Sequence, residues 1–291
     1  MSDITVIGLG KMGAALAKTL LESGKSVTVW NRTPHKATAL VDIGAVLVQS
    51  IEEAVAASAA SIVCIKNHQT TNQALSPLGN ALAGKIIIDL STGGAEEATE
   101  LVDMLSSAGA LWQIGMINAY PSGIGREDTA ILCAGPVKVW DEWGETIRTL
   151  GAASAHVGTE PAAIPGLFAA MFTARQGFMF GLIYGGAVCR KAGLSMDVFA
   201  AQVPVTLAMA GNYADLFTRT VPTQEYSDPG ASVAVYLAAL DDVMATFEAT
   251  GTEDEFPRLM RDLTKRGVDE GYATRELTAL VEMLAGGDSG Q

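Results

Sequence analysis

The chain has 291 residues, of which 49% are apolar and 18% charged, and its 19 basic against 32 acidic residues give a net charge of −13. This composition excludes intrinsic disorder, and strong acidity without a basic tract argues against nucleic-acid binding. A membrane span needs roughly 18 to 20 uninterrupted apolar residues, whereas Arg175 and Gln176 interrupt the most apolar segment, residues 161–189. We therefore expect a globular protein with neither a nucleic-acid partner nor a membrane span.

The amino terminus and the cysteines indicate the compartment. Residues 1–10 contain an acidic side chain and a strand-like pattern, unlike a signal or transit peptide. The three cysteines, Cys64, Cys133 and Cys189, are far apart and lie in apolar surroundings, which is typical of buried thiols in a reducing compartment. We expect a cytoplasmic protein with no disulfide and no metal site.

The first half of the chain alternates between apolar, β-branched runs and helical patterns. A strand over residues 4–7, a glycine turn, a helix over 14–21 and a strand over 26–30 have the size of one βαβ unit. Further strands are predicted near residues 46–48, 61–65, 85–89, 112–117 and 129–134, with a helix over 96–108. Ser50 and Glu53 have the spacing of a capping box. The alternation predicts an α/β Rossmann domain with a doubly wound parallel sheet.

Beyond about residue 160 the apolar residues recur at spacings of three and four, which predicts helices. Three such faces lie within residues 233–247, 256–263 and 277–284. Thr252 and Glu255 have the spacing of a second capping box. The second half is therefore predicted to be all-helical and joined to the first by the long apolar segment.

Three glycines between the first strand and the first helix predict a dinucleotide site. In that context Gly8 permits the tight turn, Gly10 lets the backbone approach a pyrophosphate and Gly13 lets the helix pack on the strand. The alternative is a glycine-rich turn without a ligand. The rest of the turn and the end of the fourth strand complete the predicted cofactor surface with Leu9, Lys11, Met12, Ile65 and Lys66.

The end of the second strand indicates which dinucleotide binds. Proteins that prefer NAD usually carry Asp or Glu there, and that carboxylate would repel a 2′-phosphate. Here Asn31, Arg32 and Thr33 stand at this position, and Lys36 follows. Arg32 can form a charge-assisted contact with phosphate, Asn31 and Thr33 offer neutral donors, and Lys36 adds positive charge. The pattern favours NADPH or NADP over the alternative that Arg32 and Lys36 only solvate a loop.

The motifs GLGKMG at residues 8–13, WNRT at 30–33 and DLST at 89–92 resemble those of the β-hydroxyacid dehydrogenase superfamily and, within it, those of the NADPH-dependent imine reductases. The resemblance implies an architecture similar to 6-phosphogluconate dehydrogenase. It comprises an NADP-binding Rossmann domain at residues 1–160, an interdomain helix at 161–192 and a helical dimerisation and substrate domain at 193–291. The resemblance also implies that Ser91 and Thr92 lie beside the nicotinamide, although either hydroxyl could instead cap the strand end.

The interdomain helix departs from the family pattern. Hydroxyacid dehydrogenases of the superfamily carry a catalytic Lys early in this helix, but residues 158–173 contain none. Imine reductases carry Asp or Tyr, whereas an ungapped register puts Phe168 at that position and Gln176 at the position of a second Tyr. Reducing a ketone produces an alkoxide, so loss of a general acid removes roughly 10²- to 10⁴-fold in rate. Reducing an iminium gives a neutral amine and needs no proton at the hydride step. The absence of Lys and of Asp or Tyr therefore argues more strongly against C=O reduction than against iminium reduction.

The remaining candidate site residues come from one loop and from the helices. Asn118 and Tyr120 follow a strand whose carboxyl end should face the cofactor, and they are the candidate catalytic residues. The alternative for Tyr120 is packing beside Pro121. We also expect an apolar substrate pocket, in which aromatic rings could contact a cationic iminium. The alternative is that its side chains belong to the helix core. The candidate pocket residues are Phe168, Phe172, Gln176, Met209, Tyr213 and Tyr236.

The leading hypothesis is an NADPH-dependent oxidoreductase that reduces the C=N bond of a mostly apolar small-molecule imine. The alternatives are a 3-hydroxyacid or semialdehyde dehydrogenase acting on a C=O bond, and a catalytically idle NADPH-binding protein. The resemblance further implies a homodimer with exchanged carboxy-terminal domains. Gly177, Gly181 and Gly185 give the apolar helix a narrow face for close helix approach, and a helix that is apolar nearly all round must be buried on most sides.

Overall fold

The chain divides after Phe172 into two units in a computed structural model that describes residues 2–286. The first unit is built on one eight-stranded sheet with the spatial order β3-β2-β1-β4-β5-β6-β7-β8. Its strands are β1 (Ile4–Ile7), β2 (Val27–Trp30), β3 (Val46–Leu47), β4 (Ala60–Val63), β5 (Ile86–Asp89), β6 (Leu111–Ile117), β7 (Ile131–Ala134) and β8 (Ala155–Gly158). The strand order reverses between β1 and β4, where α/β sheets open a ligand crevice.

The neighbouring strands from β3 to β6 pair in parallel, which confirms the predicted doubly wound sheet. At one edge, β7 runs antiparallel to β6, with Ile114 opposite Ala134, and β8 runs parallel to β7. The connection between β6 and β7 contains only a 3-10 turn at Pro121–Gly123. A parallel return needs a longer crossover, usually a helix, so this connection leads to an antiparallel strand. The strand itself is predicted near residues 129–134, but within a parallel sheet, so its direction corrects that prediction.

Helices cover both faces of the sheet. Those that begin in the first unit are α1 (Lys11–Glu22), α2 (Thr38–Val41), α3 (Ile51–Ala56), α4 (His68–Leu75), α5 (Ala95–Ser107), α6 (Val137–Leu150) and α7 (Ala163–Lys191). One buried cluster includes Leu16 of α1 and Ile147 of α6, and a second includes Leu75 of α4 and Leu101 of α5. Because both faces are covered, β1 is buried along its whole length.

Of the two predicted capping boxes, one forms and one does not. Ser50 Oγ accepts a hydrogen bond from the Glu53 N–H at 3.0 Å, and the Glu53 carboxylate accepts one from the Gln49 N–H at 2.8 Å. The prediction for Thr252 and Glu255 is wrong, since the N-cap of the corresponding helix is Asp254. The Thr252 hydroxyl instead forms a hydrogen bond with the Thr250 hydroxyl at 2.8 Å.

The second unit is helical, as predicted. It contains the rest of α7 and α8 (Met196–Thr223), α9 (Val233–Thr250), α10 (Glu255–Gly267) and α11 (Leu280–Leu284). Tyr184 of α7 packs near Phe247 and Phe256, with ring centroids 6.4 and 5.8 Å away. A Cβ at Gly185 would lie 2.9 Å from Phe199 of α8, whereas one at Gly177 would meet no atom within 4 Å. Part of the narrow glycine face is thus occupied within the chain. The domain limits implied by the resemblance stay a prediction.

Helix α7 is the part of the described chain that is long and apolar enough to cross a membrane by length and composition alone. One such helix is weak evidence for a span, because the core helix of a soluble protein passes the same test.

Candidate functional site

The turn between β1 and α1 has the geometry that its three glycines require. Gly8 has a φ of 97°, and a Cβ there would lie 2.4 Å from the Cys64 carbonyl oxygen just after β4. A Cβ at Gly13 would lie 1.9 Å from the Gly8 carbonyl oxygen, so only a glycine lets α1 pack this closely on the turn. A Cβ at Gly10 would meet no atom within 4 Å, so this position leaves the backbone open to a ligand.

The amino terminus of α1 is suited to an anion. Gly10 is the N-cap without a side-chain acceptor, and the first turn contains no acidic residue. The exposed Lys11 adds positive charge beside the backbone N–H groups that a helix start leaves without intrahelical partners. Such a terminus binds phosphate groups, so the turn fits the pyrophosphate of a dinucleotide.

Asn31 connects this turn to the end of β2. Its Oδ1 accepts a hydrogen bond from the Leu9 N–H at 2.9 Å, and its Nδ2 donates to the Thr33 carbonyl oxygen at 3.0 Å. The Asn31 amide is therefore engaged in holding the loop in place. Arg32 is exposed and lines the cleft beside the turn, and Lys36 is exposed in the short 3-10 helix that follows.

A cleft of about 770 Å³ lies against this turn and the ends of β2 and β4. The predicted cofactor residues that line it are Gly8, Gly10, Lys11, Met12, Gly13, Asn31, Arg32, Ile65 and Lys66. Leu9, Thr33 and Lys36 are not part of this lining. The cleft also includes residues that the sequence analysis did not assign to the cofactor site, which are Trp30, Cys64, Thr70, Gln73 and Ala74.

A second pocket, of about 230 Å³, shares Met12, Cys64 and Ile65 with the cleft. The predicted residues Ser91, Thr92 and Phe168 line it together with His68. Most of the remaining wall is apolar and comes from the ends of β5 and β6 and the start of α7, with Leu90, Gly93, Gly115, Met116, Ile117, Ile164 and Pro165. The pocket is therefore an apolar space with a few polar side chains at one end.

A buried hydrogen-bond network underlies that polar end. Asp89, the last residue of β5, is fully buried, and its carboxylate accepts a hydrogen bond from His68 Nδ1 at 2.7 Å. The same carboxylate accepts hydrogen bonds from Thr71 Oγ1 and the Ser91 N–H, both at 3.2 Å. Ser91 Oγ in turn accepts one from the Ile65 N–H at 3.1 Å. The network ties the ends of β4 and β5 to the start of α4.

The Cys64 thiol, which lines the pocket, is unreactive at neutral pH. Burial, with a smaller contribution from the Asp89 charge, raises the pKa of Cys64 to about 12. Burial alone raises the pKa of Cys133 to about 12 as well. Both thiols are protonated at neutral pH, and a protonated thiol is neither a nucleophile nor a metal ligand.

The candidate catalytic residues on the loop after β6 do not line this pocket. Tyr120 is 70% exposed, and neither Tyr120 nor Asn118 is among the lining residues. The Asn118 N–H donates to the Ala130 carbonyl oxygen at 2.9 Å and so continues the contact between β6 and β7. Their contact with substrate stays a prediction.

The predicted pocket residues fall on both units. Phe168 lines the pocket, and Phe172 stacks on it with 5.3 Å between ring centroids. The others belong to the second unit, where their contact with substrate stays a prediction: Gln176, Met209, Tyr213 and Tyr236. Burial, with the neighbouring Tyr236 and Glu276, raises the pKa of Tyr213 to about 12. Tyr213 and Tyr236 therefore lie near each other.

Sequence reasoning missed His68, Thr71 and Asp89. The sequence did contain a pattern that could have placed His68 and Asp89 near each other. Asp89 ends one strand, His68 follows the end of the strand beside it, and neighbouring parallel strands end at the same edge of a sheet. The spacing of 21 residues, however, does not imply the 2.7 Å contact.

Comparisons with known proteins match both halves of the chain. Residues 3–158 match the family described as the NAD binding domain of 6-phosphogluconate dehydrogenase. Residues 166–286 match the family described as the C-terminal domain of NADPH-dependent reductive aminase-like proteins. The chain is 28% identical over 283 residues to an NADPH-dependent reductive aminase of Aspergillus oryzae, and the alignment covers 96% of each chain.

Solved structures show the same similarity. An imine reductase from Myxococcus stipitatus in complex with NADP+ matches with a TM-score of 0.90 and 26% identity, covering 97% of this chain and 99% of that chain. An imine reductase from Aspergillus terreus in complex with NADPH4 and dibenz[c,e]azepine matches with a TM-score of 0.89 and 28% identity, with 97% and 99% covered.

Two glycine substitutions in the turn should affect different properties. Gly13→Ala should lower the free energy of unfolding by about 3 kcal/mol or more, because its Cβ would overlap backbone that cannot move independently. Gly10→Ala should change it by less than about 1 kcal/mol, since the Cβ enters open space, but should weaken NADP binding. Chemical denaturation and calorimetric titration measure the two effects. Equal stability of both variants would contradict this account.

Proposed function

This chain belongs to the imine reductase family of NADPH-dependent oxidoreductases, and on that premise we propose that it reduces the C=N bond of a mostly apolar imine or iminium to an amine. The observation that carries the proposal is the pocket adjoining the cofactor cleft. Its wall is mostly apolar, includes Phe168 and, among the described residues that line it, contains no lysine. Without the lysine that hydroxyacid dehydrogenases of the superfamily carry, a ketone substrate loses that acid for its alkoxide, whereas an iminium needs no proton at the hydride step.

The cleft contains groups that fit NADPH. The N–H groups at the start of α1 suit the pyrophosphate, and the Arg32 guanidinium suits the 2′-phosphate. Met12 and Ile65 line both the cleft and the pocket, so the two spaces adjoin at these side chains. When bound, NADPH supplies the hydride that reduces the C=N bond.

The pocket favours a cationic, apolar substrate over a polar one. Phe168 and Phe172 form a stacked aromatic pair, and an aromatic face attracts a cation by about 0.5–2 kcal/mol. A hydroxy acid would place a carboxylate against the apolar wall, at a desolvation cost that no lysine or arginine among the described lining residues offsets. The Aspergillus terreus relative was solved with dibenz[c,e]azepine, whose fused benzene rings agree with an apolar substrate class.

A substrate panel tests this function. We expect NADPH oxidation with 3,4-dihydroisoquinoline and with its N-methyl iminium salt, followed by the fall in NADPH absorbance. We expect no NADP reduction with 3-hydroxypropanoate or 3-hydroxyisobutyrate. Turnover of the hydroxy acids without turnover of the imines would assign a C=O dehydrogenase instead. Tight NADPH binding with no turnover of any compound would assign a catalytically idle protein.

Cofactor preference depends on Arg32 in this proposal. Arg32→Ala should raise the Kd for NADPH about tenfold or more, the range of a lost hydrogen bond to a charged group, and leave the Kd for NADH nearly unchanged. Only NADPH carries the 2′-phosphate. Arg126→Ala is the control, because it removes the same charge from an exposed arginine paired with Asp128 outside the cleft. Calorimetric titration gives both constants, and equal losses for the two cofactors would refute the assignment.

We also propose that two copies form a homodimer with exchanged carboxy-terminal domains. In one chain, the buried residues of α7 are Ile164 and Pro165, both in its first turn. Large apolar side chains farther along α7 and on α8 are exposed, with Ile183 at 62% and Met209 at 67%. Apolar surface on this scale marks an interaction site. A second copy presents equally long apolar helices, which suits a symmetric pairing of this surface.

Sedimentation equilibrium tests the dimer. The chain mass is 30.2 kDa, and we expect a species of twice that mass. Ile183→Asp should raise the dimer dissociation constant about 100-fold or more, because the new carboxylate would be buried without a partner. Ile43→Asp, at a 49% exposed position of the first unit, is the matched control and should remain dimeric. A wild-type monomer would contradict the proposal.

A further inference from the structure

The polar groups of the small pocket differ in whether their protons are available. The side chains concerned are Ser91, Thr92 and His68. Thr92 Oγ1 donates its proton to the Lys66 carbonyl oxygen at 3.2 Å. The Thr92 hydroxyl is therefore engaged in joining the end of β5 to the end of β4.

The Ser91 proton is also engaged. Thr71 Oγ1 donates to the Asp89 carboxylate at 3.2 Å, and its oxygen lies 3.2 Å from Ser91 Oγ. Since the single proton of Thr71 is directed to Asp89, the Ser91 hydroxyl is the donor between the two hydroxyls. Ser91 Oγ meanwhile accepts from the Ile65 N–H at 3.1 Å. Both hydroxyls that line the pocket thus donate to protein acceptors.

His68 is the remaining side chain. It begins α4, its ring is 1% exposed, and its Nδ1 lies 2.7 Å from an Asp89 carboxylate oxygen. A carboxylate only accepts, so Nδ1 is the donor, and this contact fixes the ring orientation and leaves Nε2 as the second functional nitrogen. Among the described residues, no side-chain or backbone group forms a hydrogen bond with Nε2. His68 nevertheless lines the pocket.

The surroundings of the ring leave it little freedom to move. A Cβ at Gly93 would lie 2.4 Å from His68 Cδ2 and 2.7 Å from Glu97 Oε2, so this glycine makes room for both side chains. Glu97 Oε2 is buried and has no hydrogen-bond partner within residues 2–286. Two carboxylates thus lie near the imidazole, that of Asp89 from β5 and that of Glu97 from α5.

We propose that His68, oriented by Asp89, donates a proton from Nε2 to the nitrogen of a neutral imine bound in this pocket. The inference rests on the proposed C=N reduction. The Nε2–H bond of the imidazolium breaks, and an N–H bond forms on the imine nitrogen. The hydride then adds its electron pair to the carbon of the resulting iminium, which gives a neutral amine. The neutral imidazole regains a proton from solvent, so one imine, one NADPH and one proton give one amine and one NADP+.

In this arrangement Asp89 is a positioning residue. One oxygen of its carboxylate contacts Nδ1 of the ring. Its other oxygen accepts hydrogen bonds from Thr71 Oγ1 and from the Ser91 N–H. Phe168, which also lines the pocket, offers no proton, and the Cys64 thiol, whose pKa burial raises to about 12, is a poor acid. Among the described side chains that line the pocket, the imidazole is therefore the one with a nitrogen free of protein acceptors and able to donate a proton.

A pair of matched substrates tests the proposal. The neutral imine 3,4-dihydroisoquinoline needs a proton, whereas its N-methyl iminium salt has the same ring and needs none. Measurements are made above the pKa of the imine, so that the free compound is neutral. His68→Asn retains a donor at the Nδ1 position for Asp89 and removes Nε2. The ratio of kcat for the iminium salt to kcat for the imine should rise about 100-fold in this variant, the lower range for loss of a general acid.

Controls separate this role from a structural one. His156→Gln, which changes a histidine bonded to the Gly135 carbonyl oxygen outside the pocket, should leave the ratio unchanged. Asp89→Asn should raise the ratio in the same direction as His68→Asn. An unchanged ratio in His68→Asn would overturn the proposal, and a rise in Tyr120→Phe instead would assign the proton to Tyr120. A wild-type protein that reduces neither compound would refute the proposed function itself.

A spectroscopic readout does not depend on turnover. The chain has three histidines, so ¹⁵N-histidine labelling gives few signals, and His35→Gln and His156→Gln identify the remaining signal as His68. Adding the product amine, 1,2,3,4-tetrahydroisoquinoline, to the NADP complex should shift the Nε2 resonance of His68. An unchanged Nε2 resonance at saturating amine would overturn the proposal, because the ring would not touch the substrate nitrogen.

Discussion

Both pockets depend on the close approach of the β1–α1 turn to the end of β4. Gly8 lies against the Cys64 carbonyl group, and Gly13 lies against Gly8, at separations that exclude any Cβ. This packing places the open amino terminus of α1 beside Cys64 and Ile65, which line both the cofactor cleft and the smaller pocket. If the turn moved outward by the width of one methyl group, the anion site and the wall shared by the two spaces would separate.

Asp89 has a comparable role at the next strand end. A fully buried carboxylate is costly unless hydrogen bonds replace its water, and here three donors do so from α4 and from the residues after β5. Satisfying this charge uses the Thr71 hydroxyl proton, which leaves the Ser91 hydroxyl to donate to Thr71, and it orients His68. The proton chemistry available to the pocket therefore follows from the hydrogen-bonding needs of one buried group beneath it.

The contrast between an apolar wall and a single ordered polar end suits reduction of a C=N bond. Phe168 lines the pocket and stacks on Phe172, and its ring provides an aromatic surface that tolerates a cation. The Ser91 and Thr92 hydroxyl protons are already donated within the protein, so they do not solvate a carboxylate. An iminium carries its positive charge only until hydride arrives and becomes a neutral amine, so the pocket need not stabilise a developing anion. An alkoxide would require such stabilisation.

The sequence by itself determined the features that depend on local backbone conformation. The spacing of Gly8, Gly10 and Gly13, the Ser50 cap and the alternation of strands and helices concern residues that are neighbours in the chain. The tertiary structure alone decided the antiparallel β7, the use of the Asn31 amide within the loop and the contact of His68 with Asp89. These features depend on which strand ends lie side by side and on how buried donors and acceptors are paired across the fold. The spacing of residues along the chain specifies neither the strand neighbours nor these pairings.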